Sequence, residues 1–212
     1  LAVVGVVVIV YLVRAPKDVS IPVPASLTTA DTAGFRGYIL GSPEAKVEIV
    51  EYADFQCPAC GSFDGLQFDV IKRQLIDSGL ARFRYRDFPL DQIHPHARFA
   101  AHAAACADEQ GKFWEMKRVI YDYQAQWAPA PSAAGLFRNY AREAGLDRDR
   151  YEECMESRKY AGRIEASLKE GLTLGVSSTP SFIIGGRMYR GALSSDTIGA
   201  IVRRTVAADT TK

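Results

Sequence analysis

An excess of either charge is what this sequence most lacks. Its 212 residues carry 26 Lys and Arg against 25 Asp and Glu, a formal net charge of +1. The basic residues, Arg82, Arg84, Arg86, Arg148 and Arg150 among them, are scattered and interleaved with acids. That pattern argues against the concentrated positive surface a nucleic acid requires. There is no internal repeat and no glycine-rich phosphate loop. Cysteine is scarce: only Cys57, Cys60, Cys106 and Cys154 are present. That is too few for a disulfide scaffold, and four sulfurs allow three pairings. Only Cys57 and Cys60 are closely spaced, so the second short-spaced pair of a tetrahedral zinc site is missing. Histidine does not supply it. His94 and His96 would point oppositely on a strand, and they read as a helix-start cap and a surface side chain. His102 reads as packing on an alanine-rich helix. No metal or cofactor is expected. The remaining composition, 48% hydrophobic and 24% charged, is that of an ordinary globular chain.

One long apolar run is present, LAVVGVVVIVYLV at 1–13, without a charge. It is shorter than the roughly 20 residues that span a bilayer. A valine-rich run also suits a buried strand. The proline-punctuated, aperiodic stretch that follows at 14–34 favours an anchor or export signal with a linker. No lipid-attachment cysteine lies nearby. The remainder is therefore expected outside the cytoplasm, in the cell envelope, where disulfides persist.

The folded part is expected at 35–207. KVEIVEYA (46–53) has apolar residues on both faces, as in a central strand covered on two sides. Residues 57–78 read as a helix, with Phe63, Leu66, Val70 and Leu75 near a 3.6-residue period and Gly79 closing it. ARFRYRDF (81–88) alternates as a second strand. A helical block follows at about 90–158. Phe99, Ala103 and Cys106 share one stripe in it; Phe113, Met116, Ile120, Tyr123 and Trp127 share another. Ser132 and Asp147 read as caps of two more helices. A helix at about 160–174 precedes PSFII (180–184), a Gly185-Gly186 turn, a partner strand at 187–191 and a last helix at 195–206. The order ββα, β, helical block, ββ, α predicts an α/β sandwich with an all-helical insertion.

The stretch EYADFQCPACGSF (51–63) carries the chemistry. A bond between cysteines three apart closes a tiny loop and adds little stability, so its use is more chemical than structural. Cys57 falls at the start of the helix, where unpaired N–H groups and the helix dipole stabilise a thiolate. A lowered pKa makes a cysteine both nucleophile and good leaving group. Pro58 fits the first turn, where its missing N–H costs nothing. Cys60 lies one turn on, within reach of a mixed disulfide at Cys57. Glu51 shares the core face of its strand with Val47 and Ile49, and a buried carboxylate there would have a raised pKa.

With EYADFQCPAC, HPHARFAAHAAACADEQGKFWEMKRVIYD and GVSSTPSFIIGGRMYRG, the chain resembles the thioredoxin-fold disulfide oxidoreductases of the DsbA type. The membrane-tethered, BdbD-like branch is the nearest in pattern. The resemblance covers about 35–206 and implies a thioredoxin fold, a central mixed sheet flanked by helices. It implies that Cys57 is the exposed attacking cysteine and Cys60 the buried resolving one. Pro180 would be the cis-proline facing both sulfurs, Thr179 a backbone partner for an extended substrate, and Glu51 a proton relay. Some members carry a second disulfide in the insertion, which implies a Cys106–Cys154 bond. The implied activity is insertion of disulfides into exported proteins, with reoxidation by a quinone-linked membrane oxidase and a monomeric state. A reductase or isomerase of the same fold, or a binding module or chaperone with a vestigial pair, remains open.

Overall fold

The computed structural model describes residues 20–28 and 34–209 of the chain. The apolar run at 1–13 and part of the expected linker lie outside the described residues. Among the described residues no helix is long and apolar enough to cross a membrane. The segment 20–28, assigned to the linker, forms no helix or strand, yet Ile21 is only 7% exposed.

Five strands form one mixed sheet. They are β1 (Tyr38–Leu40), β2 (Val47–Ala53), β3 (Ala81–Asp87), β4 (Ser181–Ile184) and β5 (Arg187–Arg190), in the order β1-β3-β2-β4-β5. β2 runs parallel to β3, and the other three pairings are antiparallel. The parallel pair needs a crossover, which helix α1 at 58–76 supplies. Registers align Tyr38, Tyr85, Glu51, Phe182 and Tyr189 in one row across the sheet. Glu51 is the only carboxylate in an otherwise aromatic row.

The insertion comprises α2 (Ala97–Asp108), α3 (Phe113–Asp122), α4 (Gln124–Trp127), α5 (Ala134–Glu143) and α6 (Arg148–Ser157). Helix α7 (Ala161–Thr173) returns to the sheet, and α8 (Ser195–Asp209) ends the described chain. On one face of the sheet, Val47, Ile49, Phe83 and Phe182 cluster with Phe63 and Ile71 of α1 and Ile198 and Val202 of α8. On the other, Tyr52, Phe88 and Val176 pack with Leu168 of α7. Gly171 makes that contact possible: a Cβ there would lie 2.7 Å from the Phe88 ring. The result is the α/β sandwich with an all-helical insertion that the element order predicts.

Helix α1 departs from the expected periodicity. It consists of α-helical Pro58–Phe63 and Asp69–Ile71 alternating with π-turns at Asp64–Phe68 and Lys72–Ile76. Each π-turn adds a residue to the turn, so the buried face steps from Phe63 to Phe68 and on to Ile71, Leu75 and Ile76. Leu66, expected in the core, is 71% exposed. Ser132 also sits one residue early for its expected role. Helix α5 has Ala133 at its cap position without a side-chain bond, whereas Asp147 accepts the N–H of Arg150.

Cys106 on α2 and Cys154 on α6 are joined by a disulfide spanning 48 residues of sequence. Both are buried, at 0% and 2% exposure. Closing a loop of this length stabilises by about 3–4 kcal/mol on chain entropy. The double substitution of Cys106 and Cys154 by Ala is expected to lower folding stability by roughly that amount in urea titration. A loss below about 1 kcal/mol would show that the insertion holds together without the bond.

Candidate active site

β2 ends at Ala53, and three residues separate it from Cys57. Asp54 shapes this loop. Its backbone carbonyl accepts the Cys57 N–H at 3.1 Å. Its carboxylate accepts the N–H groups of Gln56 at 2.7 Å and Leu90 at 2.8 Å, and meets His94 Nδ1 at 2.7 Å. Burial pushes the Asp54 pKa up, against these bonds. Cys57 then occupies the N-cap of α1 with φ −70° and ψ 120°, and Pro58 follows in the first turn. The Cys57 carbonyl accepts from the N–H groups of Cys60 and Gly61, both at 3.1 Å.

Cys57 and Cys60 are unbonded to each other, at 7% and 0% exposure. The expectation of an exposed Cys57 is thus corrected. The loop containing the cis Thr179–Pro180 bond lies over the sulfur, and the Cys57 thiol donates to the Thr179 carbonyl at 3.4 Å. Thr179 is itself 9% exposed.

The two sulfurs have opposite acidities. The Cys57 pKa is lowered from 9.0 to about 5. The largest cause is a hydrogen bond from the Cys60 thiol. Burial opposes it, and the Thr179 side chain and the N–H groups of Cys60 and Ala59 add to it. Burial pushes the Cys60 thiol well above its usual value, reinforced by its bond to Cys57 and by the nearby Glu51 charge. Backbone donors at the helix tip therefore rank below the neighbouring thiol, a reversal of the weight the sequence suggests.

Glu51 is 1% exposed, and its Oε2 has no hydrogen-bond partner. Burial raises its pKa from 4.5 to about 8. Lys117 on α3 opposes the rise, and Asp64 and Cys57 add to it. Lys117 is 2% exposed and pairs with Asp64, and its ammonium lies 3.9 Å from the centre of the Phe68 ring. Cys57, Cys60, Glu51, Thr179 and Pro180 thus share one site, while Cys106 and Cys154 pair elsewhere, on α2 and α6. His96 sends Nε2 to the Ala130 carbonyl at 2.8 Å. His102 is buried beside Cys106, and burial lowers its pKa to about 4. Among the described residues no group of three or more His, Cys, Asp and Glu could hold a metal ion.

Four side chains around the pair escaped the sequence reading: Asp54, Gln56, Lys117 and Gln124. Only Lys117 had a visible signal. It lies on the apolar stripe of α3, between Met116 and Ile120, where a charge requires a buried partner.

A CxxC pair at the N-terminus of a helix, facing a cis-proline loop at the C-terminal end of the central strand of a five-stranded sheet, defines a class of protein that comparison identifies. The family described as Thioredoxin matches residues 35–204, and the chain belongs to it. Within it, the fold is that of the DsbA-type proteins. The Wolbachia pipientis α-DsbA1 structure superposes with a TM-score of 0.71 at 22% identity, covering 82% of this chain and 94% of that one. Oxidised BdbD from Bacillus subtilis gives 0.73 at 18% identity, covering 90% and 100%. A curated relative, the Na(+)/H(+) antiporter NhaA 3 of Salinispora tropica, is 37% identical over 172 residues, 81% of this chain and 25% of the relative. The chain spans about a quarter of the length of the curated relatives it matches.

Glu51 gives the site a pH signature. Its pKa is raised on folding, so the native state holds an extra proton between 4.5 and about 8. The resulting stabilisation is full below 4.5 and is lost as pH rises through 8. Glu51→Gln is expected to flatten the decline of stability across this window, measured by urea unfolding at several pH values. An unchanged slope would mean that Glu51 ionises normally.

Proposed function

We propose that this chain is an exported thiol–disulfide oxidoreductase that inserts disulfides into secreted or periplasmic proteins. The observation that carries this reading is the unequal pair: Cys57 lowered to about 5, next to a Cys60 raised well above its usual value. A thiolate stabilised only in the dithiol form favours that form over the disulfide, which makes the disulfide oxidising. The low value of Cys57 contributes stability to the reduced protein above 9.0 and loses it as pH falls through about 5, so much of it is present at neutral pH.

In this mechanism a substrate thiolate attacks the Cys57 sulfur of the oxidised pair. The Cys57–Cys60 bond breaks as the mixed disulfide forms, and Cys60 leaves as a thiolate. Cys60 takes a proton, for which the protonated Glu51 is the nearby source. A second substrate thiolate then attacks the substrate sulfur of the mixed disulfide, and Cys57 leaves as a stabilised thiolate. The substrate has lost two electrons and the pair has gained them. Pro180 and Thr179 cover the sulfur and present backbone to an extended substrate. A quinone-linked membrane oxidase would return the pair to the disulfide. The domain would act as a monomer on the outer side of a membrane, held by the segment at 1–13.

The Cys57–Cys60 reduction potential tests the direction. A value well above about −270 mV, that of thioredoxin, is expected for an oxidase; one near it would make the protein a reductase. Cys57→Ser is expected to abolish oxidation of a reduced, unfolded substrate. Activity surviving that change would point to a binding module or chaperone.

The antiporters among the relatives favour a second reading, in which the same dithiol chemistry is tied to sodium/proton antiport. It predicts that reducing Cys57–Cys60 alters sodium-driven proton flux in vesicles bearing such an antiporter with this domain. Flux indifferent to reductant would remove that reading.

A further inference from the structure

Two glutamines join the loop before Cys57 to the helical insertion. Gln124, the first residue of α4, places Nε2 2.7 Å from the Phe55 carbonyl and 3.0 Å from the Cys57 carbonyl. An amide nitrogen carries two hydrogens, so both bonds form together. Gln56 reciprocates from the loop. Its Nε2 donates to the Ala128 carbonyl at 2.9 Å, and its Oε1 accepts the His96 N–H at 2.7 Å. Gln124 is itself held in place, because the Trp127 indole of the same short helix donates to the Ile120 carbonyl at 2.7 Å.

Gly61 provides an independent sign that this arrangement is built in. It lies within the α-helical opening of α1, outside the left-handed region, so the backbone does not require glycine there. What glycine supplies there is room for the Gln124 amide. A Cβ at position 61 would lie 2.6 Å from Gln124 Oε1 and 3.1 Å from its Cδ. The residue after the second cysteine is small because the Gln124 amide sits against it.

The carbonyl that Gln124 engages belongs to the nucleophile's own peptide. It already receives the N–H groups of Cys60 and Gly61. A third donor, from outside the helix, fixes the peptide plane and with it the direction of the N–H groups of Ala59 and Cys60 relative to the sulfur. We propose that Gln124 is a positioning residue for the Cys57 nucleophile, and that its seat on Gly61 makes the helical insertion a lever on that sulfur's reactivity. The consequence rests on the redox reading of Cys57; the clasp itself rests on the hydrogen bonds and the Gly61 contact.

The test compares Gln124→Met, which keeps the volume but donates no hydrogen bond, with Gly61→Ala, which displaces the amide, and with the double variant. Two quantities are read on the full chain: the pH titration of Cys57 by alkylation rate in the reduced protein, and the equilibrium with glutathione. Each single variant is expected to raise the proton affinity of Cys57 about threefold or more and to move the glutathione equilibrium toward the disulfide. The double variant is expected to go no further than either single, since both break one clasp. A lowered melting temperature with both readouts unchanged in Gln124→Met would overturn the proposal, as would additive shifts in the double variant. Should Gly61→Ala fail to fold, Gln124→Met and Gln124→Ala decide alone. Should the parent protein fail to exchange with glutathione, the redox reading falls, while the alkylation titration still decides the clasp.

Discussion

Hydrogen bonding from the Cys60 thiol, the largest cause of the lowered Cys57 pKa, is the interaction on which this site depends. It exists because one helical turn separates the N-cap from the third helical residue, which brings the two sulfurs onto one side of α1. It has a direction because the two sulfurs are solvated differently. Cys60 lies wholly in the core and resists ionisation, so it donates. Cys57 has the Thr179 side chain and two backbone N–H groups near it and accepts. Equalise the two environments and the two sulfurs would share one acidity.

The rest of the fold maintains that inequality. Tyr85 and Phe182, the fully buried cross-strand neighbours of Glu51, lie on either side of it, and burial is why its carboxyl holds a proton near neutrality. Lys117 tempers the effect with its ammonium against the Phe68 ring, while Asp64, its partner in a second buried pair, adds to it. The insertion is more than a cover over the sheet. It contributes Lys117 to the electrostatics below the pair and Gln124 to the backbone around it. The π-turns in α1 belong to the same economy of space, since they turn Phe68 inward against Phe83 and Trp114.

Much of the architecture was legible in the sequence because it is local. The alternation in 81–88, the Gly185-Gly186 turn and the stripe of α3 each depend on neighbours a few residues away. Strand β1 was not assigned to residues, since three residues are too few for a pattern of alternation. Leu66 was misplaced because periodicity assumes 3.6 residues per turn, and a π-turn breaks that assumption without marking the sequence. Asp54, Gln56 and Gln124 carried no signal at all. Their function lies in backbone groups 36 to 72 residues away, or in a turn that forms only once the loop is held.

By itself the sequence determined the local unit: a central strand, a proline-started helix with two cysteines one turn apart, and a carboxylate on the core face of the strand. Spacing along a strand and a helix suffices for that. Tertiary structure alone decided which neighbours set the acidity of each group. It placed the Thr179–Pro180 loop over Cys57, the antiparallel β4 beside Glu51, and a glutamine from the insertion against Gly61. Solvation and hydrogen bonding depend on what surrounds a group from every direction, and a chain read in one dimension contains only two of those neighbours.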